Sequence, residues 1–139
     1  MQRNTEGRRK VFCSAGHFAD AMKLQGFSVT FLGFDELGNW PSPEPIDMLG
    51  ATMRSAAGVP VLFRASANPG GPGHNWVKER YIDNEGGESI FIPSKIQDNT
   101  PLMENDPGYI DRIKKSGPEW LVKAWLDGDW NIAPGAFFE

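Results

Sequence analysis

Asp35 and Glu36 stand side by side where the apolar run VTFLGF (29–34) ends, and a loop with Gly38, Asn39 and Trp40 comes next. Two carboxylates at the end of a buried strand suit magnesium-dependent phosphate hydrolysis. Asp35 would hold the ion through water, because Mg²⁺ keeps most of its hydration shell, and Glu36 would orient and polarise an attacking water. An acidic pair is also an ordinary exit from a strand, capping the next turn. A second strand-like segment, VPVLFRASAN (59–68), ends in NPGGPGH (68–74). Its glycines would let a backbone approach a phosphate closely, amides at the next helix start would favour the anion, and Asn68 could sense a γ-phosphate. The same glycines and prolines also make a plain reversing turn.

Other residues carry less. Cys13, His17 and His74 invite a metal site, but Cys-x3-His without a second ligand pair does not define one. Trp120, Trp125 and Trp130 fall in a C-terminal helical segment, where aromatic side chains serve packing more often than base stacking. Arg54 reads as a solvated or salt-bridged surface residue.

The elements that must position the acidic pair have an alternating pattern. KVFCSA (10–15) has strand composition, and HFADAMKLQG (17–26) reads as a short helix or turn ended by Gly26. FSVTFLGF (27–34) is apolar on both faces, as in a central strand of a parallel sheet covered on both sides. After Pro41, Pro43 and Pro45, the segment IDMLGATMRSAAG places Ile46, Leu49, Met53 and Ala56 on one stripe of a crossover helix closed by Gly58. VPVLFRASAN is the next strand, NWVKERYI is helical, and ESIFIPSKI (88–96) reads as a further strand with Pro93 at its edge or end. DPGYIDRIKK and PEWLVKAWLDG are then helical, the second opened by Pro118 and stopped at Gly128. Strand, helix, strand with two decorated carboxyl ends is an α/β pattern, and ligands of open α/β sheets sit beyond those ends.

With 139 residues, 40% of them hydrophobic and 23% charged, the chain fits one folded domain with a real core. Its net charge of −4 argues against attraction of the whole domain to nucleic acid, while Arg8, Arg9 and Lys10, or Lys78 and Arg80, could still touch phosphates. The single cysteine excludes an internal disulfide, fits a reducing compartment and reads as a buried thiol. No apolar run approaches the length of a membrane span, and the polar, basic MQRNTEGRRK leads into no signal-type apolar region, so no membrane association and a cytoplasmic location are expected.

Four blocks in order, FLGFDEL (31–37), ASANPGGPGHNWVKERYI (65–82), FIPSKIQDNTPL (91–102) and WLVKAWLDGDWNIAPGAFFE (120–139), resemble the large subunit of phage terminases, the DNA-packaging ATPases of tailed phages. On that resemblance FDE matches the Walker B motif and its catalytic glutamate. Asp35 then inherits the magnesium role, through water, and Glu36 the water-activating role. SANPGG resembles the motif that couples hydrolysis to DNA movement, which implicates Ser66, Ala67 and Asn68 in coupling or phosphate sensing. The implied fold is α/β, part of a P-loop-type (ASCE) parallel sheet of three or four strands with a C-terminal helical linker. The implied parts are a disordered or non-native start at 1–9, the C-terminal half of an ATPase domain at 10–97, and a helical linker at 98–139 towards a nuclease domain. Implied cofactors are Mg and ATP. Implied partners are double-stranded DNA, the portal protein, the small terminase subunit and the N-terminal half of the ATPase, in the cytoplasm of a bacterial host cell.

Within the 139 residues no GxxxxGKS/T phosphate loop occurs, and GAFFE stands about where the family's nuclease domain begins. The chain thus reads as a middle piece, whose cofactor-binding residues for the nucleotide cradle are unknown. By itself it is expected to be nearly inert towards ATP, because electrostatic stabilisation of the transferred phosphoryl group, normally the largest catalytic contribution, is lost without that loop. The competing expectations are a catalytically inert prophage remnant or interaction module, or a split protein completed in trans.

Overall fold

In the computed structural model the described residues are 2–3, 9–10, 18–24, 26–84 and 86–132. Cys13 and His17, and all of the predicted strand KVFCSA beyond Lys10, lie outside them. The elements in chain order are β1 (Gln2–Arg3), β2 (Arg9–Lys10), α1 (Phe18–Met22), β3 (Phe31–Phe34), α2 (Glu44–Gly50), β4 (Leu62–Ala65), α3 (His74–Val77), α4 (Thr100–Asn105), α5 (Tyr109–Ile113) and α6 (Glu119–Asp127). A 3-10 turn at Leu37–Asn39 comes after β3, a π-helical turn at Lys78–Ile82 continues α3, and a second 3-10 turn lies at Ile96–Asp98. β1 and β2 pair antiparallel, and β3 and β4 form a separate two-stranded sheet. The β3–β4 pair is parallel, as a helical crossover through α2 requires. The chain is therefore mixed helix and strand, with a small two-stranded parallel sheet among the described residues. No helix among the described residues is long and apolar enough to cross a membrane.

The chain divides into two compact units. Unit 1 comprises residues 1–32 and 44–63. Its α1 and α2 pack together, and Ala21, Ile46 and Leu49 are buried. α2 is shorter than the sequence pattern predicts. It stops at Gly50 instead of running to Gly58, so Met53 and Ala56 leave the helical stripe. Two local forces end it. The Thr52 hydroxyl donates to the Leu49 carbonyl at 2.6 Å, and glycine is a poor helix former. Tertiary pairing then takes over: Val29 N–H donates to Thr52 O and Arg54 N–H to Val29 O, a parallel bridge that holds Met53 extended. Arg54 also donates through Nε to Ser28 Oγ.

Both strands are less covered than a two-sided central strand would be. In unit 1, Phe31 is 58% exposed and Val59, Val61 and Leu62 are exposed as well. Apolar groups of this kind associate in water. The 139-residue chain is expected to bind a hydrophobic dye and to show a scattering mass that rises with concentration, with Phe31→Lys reducing both. A dye-silent, concentration-independent monomer would contradict that expectation.

Unit 2 comprises residues 33–43 and 64–139, of which the described ones end at 132. Leu37, Trp40, Val77, Val122, Ala124 and Trp130 form its buried apolar set. α4 begins where Asn99 accepts the Leu102 amide on its side chain, with Pro101 in the first turn, a start the sequence reading does not contain. α6 behaves as its sequence suggests: Pro118 precedes the first turn, and Gly128 closes the last one in the left-handed conformation at φ 65°. Residues 88–95 form no strand, and Ile90 and Ile92 are 88% and 79% exposed. Apolar alternation gives a strand only where an edge is there to pair with.

Candidate functional site at the strand ends

β3 runs directly into Asp35 and Glu36, and β4 into Ser66, Ala67 and Asn68, so parallel pairing brings these two groups to the same end of the sheet. Ser66 N–H donates to Phe34 O at 2.9 Å, and Leu37 N–H donates to Ser66 O at 2.8 Å, which carries the ladder past the formal ends of the strands. The Ser66 side chain joins the two carboxylate residues. Its Oγ donates to Asp35 Oδ1 at 2.5 Å and accepts the Glu36 amide at 3.2 Å. A single hydroxyl thus orients one carboxylate and pins the backbone of the next residue.

Glu36 has φ 54° and ψ 49°, and it is the one non-glycine with positive φ among the described residues. A left-handed glutamate is disfavoured by about 1 kcal/mol or more, because its Cβ crowds its own carbonyl. The 3-10 turn at Leu37–Asn39 imposes the conformation. Leu37, 2% exposed, anchors that turn, whose bonds run from Asn39 N–H to Glu36 O and from Trp40 N–H to Leu37 O. Asp35 and Glu36 themselves stay exposed at the surface.

The NPGGPGH loop answers its two sequence readings with a third. A Cβ on Gly71 would lie 2.5 Å from the Gly38 carbonyl oxygen, and one on Gly73 would collide with the Trp40 carbonyl oxygen. The glycines let two backbone segments touch, loop against 3-10 turn. The Gly73 amide donates to Gly38 O at 2.8 Å and the Trp76 indole N–H to Trp40 O at 2.7 Å. Asn68 is exposed, and its backbone carbonyl faces Gly38. Ala67 is half-buried.

The arrangement brings together Asp35, Glu36 and Ser66 by direct hydrogen bonds and Asn68 by backbone proximity. A shallow groove lined by Pro43, Trp76, Glu79, Arg80, Asp83 and Asn84 includes none of them. Among the described residues no three His, Cys, Asp or Glu side chains converge on one point. The donor set at Asp35, one exposed carboxylate with a hydroxyl already on one oxygen, suits a cation that keeps its water and takes further oxygens from a ligand, which is how magnesium is usually held.

His74, one member of the candidate metal set, is 2% exposed and serves packing. Its Nδ1 accepts the Gly70 amide at 3.0 Å, and its ring stacks on Trp130 with centroids 5.3 Å apart and planes inclined by 16°. Burial lowers its pKa from the ordinary 6.5, the Lys78 charge lowers it further, and hydrogen bonds to the backbone of Ile132 and Trp130 oppose both. Trp125 donates its indole N–H to Pro69 O at 2.9 Å. Comparison with protein-family profiles, with curated proteins and with solved structures finds no match to this chain.

Proposed function

We propose that the strand-end cluster is the hydrolytic half of an ATP site in a viral DNA-packaging motor of the large-terminase type. The observation that carries the reading is the Ser66 hydroxyl, which ties Asp35 and the Glu36 amide together across the ends of two parallel strands. On this reading the two strands belong to a P-loop-type sheet, and ATP hydrolysis drives double-stranded DNA into a procapsid, with the portal protein and small subunit as partners in the bacterial cytoplasm. The four sequence blocks in their order support it, as does the placement of ligand sites beyond the carboxyl ends of parallel strands.

The chain's own residues divide the work. Asp35, held in one rotamer by Ser66, would bind the hydrated magnesium of a nucleotide complex. That ion supplies charge neutralisation on phosphate oxygens when bound. Glu36 would orient a water and accept its proton, a contribution of about 10²–10⁴ in rate for a well-placed base. Asn68, exposed two residues after Ser66, would report the phosphate state to the glycine-rich loop.

Manganese in place of magnesium gives a direct test on the 139-residue chain. In the presence of ATP, paramagnetic broadening should appear first at the amides of Asp35, Glu36 and Ser66 and vanish in Asp35→Asn. Ser66→Ala, which frees the carboxylate, should weaken the metal effect by about 10–100-fold, the usual consequence of removing a hydrogen bond that orients a ligand. Broadening centred elsewhere, or indifferent to Asp35→Asn, would remove the basis of the reading.

A further inference from the structure

The loop between Asn68 and α3 is fastened at its middle by groups that the hydrolytic reading does not use. Gly70 sits at φ 89°, a conformation that only glycine adopts without strain. Its amide points at the buried imidazole of His74, four residues on, whose Nδ1 accepts it at 3.0 Å. An acceptor Nδ1 means that the ring is neutral and carries its proton on Nε2. The backbone of Ile132 and Trp130, beyond α6, lies near enough to the ring to favour its protonated form. The ring face is covered by Trp130, and Pro69 O is held by the Trp125 indole. A Cβ at Gly70 would collide with the Leu121 side chain, so α6 also packs directly on this turn.

We propose that His74 is a positioning residue: its neutral ring bolts the Gly70 turn to the segment after α6, and protonation of Nδ1 releases that turn. As a device for coupling, it rests on the nucleotide-site reading, because the turn continues directly from Ser66, Ala67 and Asn68. A ring protonated on both nitrogens has no lone pair left for the Gly70 amide, so the two N–H groups face each other.

Lys78 is the charge that shifts the ring, and α6, packed on the turn, carries Glu119, Lys123 and Asp127. The ring's own element carries Lys78 one turn along, paired with Asp83 at 2.6 Å. The 3-10 turn Leu37–Asn39 and the Pro69–Gly71 turn bring no charge. Next to Trp130, Asp129 accepts the Asn131 amide on Oδ1. The sign is then fixed. A histidine whose folded pKa lies below its unfolded value adds a stability that is complete above pH 6.5 and is lost as pH falls from 6.5 through the folded pKa.

The test uses the 139-residue chain, labelled with ¹⁵N and without nucleotide, titrated from above to well below pH 6.5. The expected result is an Nε2–H tautomer for His74, a midpoint below 6.5, and roughly tenfold loss of exchange protection at the Gly70 amide as the ring protonates, the yield of one ordinary hydrogen bond. His74→Phe keeps a flat ring against Trp130 and removes the acceptor, so its Gly70 amide should show the same roughly tenfold lower protection at every pH. Unchanged Gly70 protection through the His74 titration, or full protection in His74→Phe, would overturn the proposal. Should His74→Phe not fold, the wild-type titration alone decides it. Failure of the nucleotide reading looks different: the Gly70 response persists while manganese leaves Asp35 untouched.

Discussion

Gly73→Ala should lower the stability of unit 2 by about 3 kcal/mol, the upper part of the range for a methyl group forced into closed packing. The new Cβ has no direction in which to retreat. It would strike the Trp40 carbonyl oxygen and lie 2.6 Å from the Trp76 indole nitrogen, and those two groups are already bonded to each other at 2.7 Å. Moving the loop away instead breaks the bond from the Gly73 amide to Gly38 O. A loss of that size multiplies the unfolded fraction by more than about a hundred and lowers Tm by roughly 10 °C. Thermal unfolding monitored in the near-ultraviolet, where the clustered tryptophans report, measures it. Gly50→Ala is the matched control, since a Cβ there meets nothing within 4 Å. It should melt within about 2 °C of the parent, or above it, because alanine is the better helix former. A Gly73→Ala protein that melts with the parent would mean that loop and turn do not touch.

That contact lies beyond the reach of sequence reasoning. The placement of the acidic pair and Asn68 at one end of the sheet is legible because parallel pairing brings the carboxyl ends of strands together, and the apolar runs 29–34 and 59–65 mark those strands well enough. The Ser66 hydroxyl is not legible as a bridge. Its role depends on the register that sets Ser66 N–H against Phe34 O, and no property of either segment alone specifies register. The glycines of NPGGPGH are visible as glycines, yet their reason lies in Gly38 and Trp40, distant in the chain. Two elements depart from their sequence patterns for a common cause. The stripe Ile46, Leu49, Met53, Ala56 is helical in spacing, but Val29 claims the backbone at Met53. The run ESIFIP is strand-like in composition, but it has no pairing partner among the described residues. In both cases a tertiary partner, present for one and missing for the other, outweighs local preference. His74 stands out in the sequence for its ligand chemistry, whereas burial against Trp130 gives it a different role.

The left-handed glutamate separates catalytic from structural readings of the acidic pair. If Glu36 is only an acidic exit from β3, its strained backbone is an accident of the turn, and Glu36→Gly should stabilise the protein without other consequence. Glycine removes the Cβ penalty of about 1–2 kcal/mol and gives back part of it through the greater freedom of the unfolded chain, for a net gain of roughly 0.5–1 kcal/mol. That gain should be measurable in the 139-residue chain by denaturant unfolding. If Glu36 is the water-orienting base, the same substitution carries a second effect. In a protein where these residues are joined to a phosphate-binding loop, Glu36→Gln should reduce kcat for ATP by about 10²–10⁴-fold while nucleotide binding stays within about twofold, because on this reading Asp35, oriented by Ser66, and not Glu36, would hold the metal. Glu36→Gly should be equally slow and more stable, the pattern expected of a residue kept in an unfavourable conformation for its chemistry. Glu36→Gln turnover near the parent rate would leave the carboxylate as a turn residue. A stability gain absent from Glu36→Gly would show instead that the backbone at Glu36 is unstrained.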